Sequence, residues 1–150
     1  MLNIICCSPD GFTGSRKSYP QSKQDLLVFS MGTIIATLVL PQTKADFFIG
    51  EGYVKDPQAI VDFIKKAKNK DIILPPGSEA YAGHAPMITC PMLLIAGRAD
   101  QATSLADAVA RQAGNRKVVA FKGGHGMGFQ ALTKTTTGDL YVQAIDDFLK

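Results

Sequence analysis

Apolar runs of four or five residues recur along the chain, separated by segments of helical length. That alternation predicts a parallel sheet with helices on its faces. The strand candidates are Leu2 to Cys6, Leu26 to Phe29, Asp46 to Ile49, Met92 to Ala96 and Val118 to Phe121. Most are nearly continuous apolar stretches rather than strict alternations, the pattern of strands covered on both sides. The expected class is therefore α/β, with a mostly parallel sheet of about five strands flanked by helices.

Four segments read as helices. Met31 to Leu40 is stopped by Pro41, and Pro57 to Lys68 has Asp56 as N-cap and Pro57 at its first position. Ser104 to Ala113 ends at Gly114, and Asp139 to Leu149 closes the chain. In the second helix Ile60, Phe63, Ile64 and Ala67 fall on one stripe opposite a lysine-rich face. Ile72 to Pro91 carries Pro75, Pro76, Gly77, Gly83, Pro86 and Pro91, so no regular structure is expected there. The segment around 52–86 is read as containing a short lid.

With 150 residues, 46% of them apolar, the chain can bury one substantial core, and a single domain over 1–150 is expected. Its 16 basic and 13 acidic side chains leave a net charge of only +3. The cluster Lys65, Lys66, Lys68 and Lys70 solvates one helix end better than it tracks a phosphate backbone, so no nucleic-acid partner is expected. Three cysteines, Cys6, Cys7 and Cys90, show no metal-ligand spacing and no disulfide framework. A reducing, cytoplasmic setting is expected. Leu26 to Leu40 is broken by Ser30, Gly32, Thr33 and Thr37, and no membrane anchor is expected.

The chemistry is concentrated where strands end. In Leu26-Leu27-Val28-Phe29-Ser30-Met31-Gly32-Thr33 a strand runs into a serine and then directly into an apolar helix. A serine displayed on such a turn is placed for nucleophilic attack, and the Met31 N–H at the helix start would stabilise an oxyanion. Val28 stands where the G-x-S-x-G pattern has its first glycine, so the motif is half met; the competing reading is that Ser30 caps the helix. Farther on, Met92 to Ala96 leads through Gly97 to Asp100, and Val118 to Phe121 leads to His125 among glycines. Side chains beyond the carboxyl ends of parallel strands converge on one edge of a sheet. Asp100 also has a bland reading, as a cap for the helix near Ser104, and His125 has one as a shape-determining turn residue. His84, in the Pro/Gly-rich segment, is expected to face solvent or belong to the lid.

The order Ser, Asp, His, with the last two following successive strands, resembles the α/β-hydrolase family. Ile88 to Asp100 is similar to the segment carrying the family's acid, Ala45 to Gly50 to the strand after the nucleophile helix, and Ile4 to Ser15 to its fourth strand and following turn. The resemblance implies Ser30 as nucleophile, His125 as general base and then acid, and Asp100 as the carboxylate that orients the imidazole. It implies a small ester or related acyl substrate, and neither cofactor nor metal; the apolar residues of the lid segment lead us to expect modest, apolar acyl groups. Phe29, Tyr53 and Phe63 are the expected substrate-facing aromatics, with Ile60 beside them.

Two departures stand out. The family's first strands are absent before Leu2, and with them the loop that supplies a second oxyanion donor. The run between Asp10 and Ser30 is too short for the usual crossover helix and strand. The resulting gap in the sheet would be filled by a shifted first strand, with Ser8 to Gly11 as substitute oxyanion loop, or by a partner chain in a homo-oligomer. Otherwise the chain is an inactive, shortened form. The rival class is thus an α/β-hydrolase-like protein that binds a small molecule or a protein without turning it over. A nucleotide-binding α/β domain is disfavoured because no G-x-G-x-x-G or P-loop follows the first strand.

Overall fold

The computed structural model describes residues 25–126 and 135–150. They form one four-stranded, all-parallel sheet in the order β1 (Asp25–Phe29), β2 (Phe47–Glu51), β3 (Met92–Gly97) and β4 (Arg116–Phe121). Four of the five expected strands are these; the fifth, Leu2 to Cys6, lies outside the described residues, as does the turn around Asp10.

The helices are α1 (Met31–Val39), α2 (Pro57–Lys68), the single turn α3 (Tyr81–His84), α4 (Leu105–Ala110) and α5 (Thr135–Leu149). Successive strand residues point to opposite faces, and the core divides accordingly. On one face Leu26, Val28, Phe48, Met92 and Leu94 pack with Ala36 of α1 and with Leu40 just beyond it. On the other Ile49, Leu93 and Ile95 meet Tyr141, Ile145 and Phe148 of α5. Leu93 and Leu94 are fully buried, each side chain stabilising the fold by roughly 1.5–3 kcal/mol relative to exposure. A third cluster joins Ile34 of α1 to Ile60 of α2 and to Tyr81.

The sequence signals at α2 set its limits. Asp56 Oδ1 accepts from the Gln58 N–H at 2.9 Å, Pro57 opens the helix, and Asn69 closes it in the left-handed region at φ 49°. α4 is shorter than expected and stops at Ala110. Past its end Arg111 lays its guanidinium over the Tyr53 ring and donates to the Lys55 carbonyl.

The segment expected to lack regular structure instead makes three helical turns, Ser78–Ala80, Tyr81–His84 and Ala85–Met87. Its prolines permit this: Pro75 and Pro76 precede the first turn, and Pro86 occupies an early position of the last, where no N–H is needed. Tyr81 is buried and donates its hydroxyl to the Val54 carbonyl. His84 is half-buried and donates Nδ1–H to the Leu38 carbonyl at 3.1 Å, tying the segment to α1 rather than facing solvent.

Strand register decides where chemistry can gather. Phe29 is paired with Glu51, Glu51 with Ile95, and Ile95 with Val119. All four strands therefore finish at one edge, and Ser30, Gly52, Asp100 and His125 follow on the same side.

Candidate active site

Ser30 sits between β1 and α1 at φ 50°, ψ −116°, a backbone region that side chains other than glycine rarely occupy. Three hydrogen bonds hold it there. Its N–H donates to Glu51 O at 2.9 Å, and its carbonyl accepts from the Thr33 N–H at 2.9 Å and from Thr33 Oγ1 at 2.7 Å. Its own hydroxyl makes no capping bond to the helix, which removes the bland reading of this serine. The half-met motif also finds its explanation. A methyl at Gly32 would stand 3.3 Å from Val28 Cβ, so the glycine on one side makes room for the valine on the other.

Ser30 Oγ lies 2.8 Å from His125 Nε2, and His125 Nδ1 lies 2.9 Å from Asp100 Oδ2. A carboxylate only accepts, so Nδ1 carries the proton and Nε2 is left to accept from the serine hydroxyl. The three side chains expected to meet do so. His125 is half-buried, with the Phe29 ring 5.0 Å away at 42°, whereas the Asp100 side chain is 1% exposed.

Asp100 is bound to the imidazole and to the turn that follows it, but it does not cap the helix. Its Oδ1 accepts from the Ala102 and Thr103 N–H groups at 2.8 and 2.9 Å, ordering the turn before α4. Oδ2 accepts from Thr103 Oγ1 at 2.6 Å and from the imidazole. Ser104, not Asp100, caps α4. Burial alone would raise the Asp100 pKa, but the hydrogen bonds from His125 and Thr103 outweigh it and hold the carboxyl below its ordinary range.

The loops carrying Asp100 and His125 are zipped together by the backbone. Arg98 N–H donates to Phe121 O and Ala99 N–H to Gly123 O, both at 2.8 Å. Gly97 makes this approach possible, since a Cβ there would fall 2.4 Å from Gly124 O. Gly52, at φ +62°, is packed so closely on the imidazole that a Cβ would lie 3.0 Å from His125 Cε1. Thr103, Gly97 and Gly52 were not among the sequence candidates. Each is isolated in the chain and acquires its place only when strands pair.

Ser30 and His125 open into a cleft of about 340 Å³ walled by Ile60, Phe63 and Ile64 of α2 and by Ala99, Gln101 and Ala102, with Lys68 at the helix end. Of the expected aromatics Phe63 lines this cleft; Phe29 does not, because its ring packs beside the His125 imidazole. Tyr53 is not among the lining residues: it is 3% exposed, its ring meets Phe48 edge-on, and its hydroxyl shares a 2.8 Å hydrogen bond with Thr37. Following directly on the turn at Gly52, its chain is drawn into the core instead of the lid. Met31, the expected oxyanion donor, is the first residue of α1, where the helix itself offers its N–H no acceptor. A larger hollow of about 580 Å³, bounded by Asp56, Pro57, Tyr81 and Pro86, contains neither Ser30 nor His125.

Among the described residues no group of three or more His, Cys, Asp or Glu side chains is placed to hold a metal ion, and no helix is long and apolar enough to cross a membrane. Burial pushes the Cys90 thiol up to about 11, which leaves almost no thiolate at neutral pH.

No family model matches the chain, and no curated protein matches it. Solved structures do. The chain is similar to an esterase from Pyrococcus furiosus, with a TM-score of 0.65 and 17% identity over 94% of this chain and 58% of that one. An esterase domain from a Rhodothermus marinus protein gives 0.61 and 13% over 89% and 62%. Monoacylglycerol lipase from Paleococcus ferrophilus gives 0.58 and 13% over 91% and 72%. The chain thus spans 58% of the length of the Pyrococcus enzyme. At these identities the likeness establishes how the chain folds.

Proposed function

Because the chain has the α/β-hydrolase fold, we propose that it is a serine hydrolase acting on small esters or related acyl compounds through Ser30, His125 and Asp100. The observation that carries this reading is the unbroken hydrogen-bonded line from Ser30 Oγ through both ring nitrogens of His125 to Asp100, at 2.8 and 2.9 Å.

In the first half-reaction Ser30 Oγ adds to the substrate carbonyl carbon while His125 Nε2 takes the hydroxyl proton. The negative charge passes to the carbonyl oxygen, which accepts from the Met31 N–H at the start of α1. Asp100 keeps the imidazole in the productive tautomer and stabilises its cation. Collapse of the adduct breaks the bond to the leaving alkoxy group, which receives the proton from Nε2, and leaves an acyl group on Ser30. Water then adds to that acyl carbon with His125 again as base, and the acid departs as Ser30 regains its proton.

Phe29 supports the ring from the side, and the apolar wall of Ile60, Phe63 and Ile64 takes the acyl chain. The segment 52–86, which contains that wall, serves as a short cover over the cleft within a single domain. A cytoplasmic setting accords with Cys90 being a free thiol.

Incubation with a fluorophosphonate probe tests the assignment. Labelling of the wild type that is lost in Ser30→Ala, with unchanged circular dichroism, is the expected result. Folded wild-type protein that takes no label would overturn the hydrolase reading in favour of a non-catalytic binding protein.

A further inference from the structure

The cleft beside Ser30 has an uneven wall. Ile60, Phe63 and Ile64 make it apolar for about one turn of α2, and Lys68, one turn beyond Ile64 on the same face, ends it with a cation. Among the described residues no carboxylate lines the cleft. The neighbouring lysine is differently placed: Lys65 Nζ is 2.7 Å from Asp71 Oδ1. Among the described residues no carboxylate lies within ion-pair distance of Lys68 Nζ. A purely apolar acyl chain would leave that charge without a counterpart at the end of its path.

We infer that the cleft selects acyl chains ending in an anionic group, half-esters of dicarboxylic acids, with Lys68 as the specificity-determining residue. The inference rests on the hydrolase reading and sharpens its substrate class. The methylenes of such a chain would lie along Ile60, Phe63 and Ile64 and remove apolar surface from water, while its terminal carboxylate meets the lysine. Ile60 and Lys68 are separated by about 12 Å along the helix axis, the rise of eight residues, which sets the scale of the chain. Lys68 is exposed, so the attraction is modest and weakens with salt.

The test compares kcat/KM for the p-nitrophenyl half-esters of glutaric, adipic and suberic acids with uncharged p-nitrophenyl esters of equal chain length. In the wild type the ratio is expected to favour the charged member of at least one pair. It falls about fivefold in Lys68→Gln, the worth of one exposed ion pair, and farther in Lys68→Glu. Lys66→Gln removes the same charge from the same helix end without touching the cleft and leaves the ratio as in the wild type. Recognition is read apart from turnover by calorimetric titration of the wild type and Ser30→Ala with monomethyl suberate against neutral dimethyl suberate. A preference for the monoanion that Lys68→Gln abolishes upholds the inference even where nothing is hydrolysed, in which case the hydrolase reading alone fails. Turnover or binding whose charged-to-neutral ratio is the same in the wild type, Lys68→Gln and Lys68→Glu overturns it.

Discussion

Gly52 lies against the imidazole of His125 so closely that a single methyl group there would stand 3.0 Å from Cε1. Few side-chain carbons come that near a neighbour, so the ring would have to give by a few tenths of an ångström. Ala at this position would also inherit φ +62°, which costs about 1–2 kcal/mol. Gly52→Ala is therefore expected to lower Tm by several degrees. A misplacement on the order of 1 Å costs about 100-fold in rate, so a ring displaced by less than that should lower kcat by a smaller factor, with KM little changed. Steady-state kinetics on a p-nitrophenyl ester, with a melting curve, checks both; unaltered kcat would mean that the ring does not need this seat.

Thr103 acts on the reaction through Asp100. Its hydroxyl donates to Oδ2 at 2.6 Å, the same oxygen that receives Nδ1–H of His125. Thr103→Val keeps the shape and deletes the donor, and a hydrogen bond to a charged group contributes about 1.5–3 kcal/mol. The carboxyl pKa should rise toward its ordinary value and kcat should fall about tenfold or more, since the imidazolium is then less well stabilised. Thr103→Ser should restore both, which loss of packing alone would not allow. The pH profile of kcat and NMR titration of the carboxyl provide the readings.

What the sequence made legible follows from how local each signal is. α2 begins and ends where Asp56, Pro57 and the lysines placed it, because capping and stripe are written within one helix. β3 and β4 were visible as apolar runs, although β4 starts two residues early: the Arg116 guanidinium donates to the carbonyls of Arg111 and Ala85, so a charged residue is accommodated in a strand. Ser30, Asp100 and His125 could be found because each follows a strand, and parallel register brings such positions to one edge. Tyr53 was misplaced in the cleft because its partners, Thr37, Phe48 and Arg111, belong to three separate elements. The need for glycine at Gly97 and Gly52 was not legible for the same reason: the close approach that requires it exists only between segments far apart in the chain.

The backbone at Ser30 is strained for the sake of its hydroxyl. At φ 50° a β-carbon is unfavourable, and the usual ranking of small residues should invert. Ser30→Gly and Ser30→Ala both remove Oγ and its bond to His125, so neither should turn over substrate. They differ only in the strain they relieve, and Ser30→Gly should be the more stable by about 1 kcal/mol, against the ordinary penalty for glycine. Urea titrations of the two variants decide the matter. Ala equal to or above Gly would show that Ser30 does not hold this conformation.

Asp100 should leave its mark on acid stability. Its folded pKa lies below the ordinary 3.8: burial alone would raise it, but hydrogen bonds from His125 and Thr103 prevail. A carboxyl with a depressed folded pKa binds its proton more weakly in the native state than in the unfolded chain. The stability it contributes is therefore complete above the unfolded value and is lost as pH falls through the folded one. Wild type and Asp100→Asn should accordingly differ most in urea midpoint near neutrality, and the difference should shrink as pH falls through and below the ordinary carboxylate range. The same substitution offers Nδ1 an amide in place of the carboxylate and lets the ring adopt the wrong tautomer, so kcat at neutral pH should drop by about 10⁴. A stability difference that stayed constant across the acid range would mean that Asp100 is not held ionised by these donors, and the imidazole would lose its anchor with it.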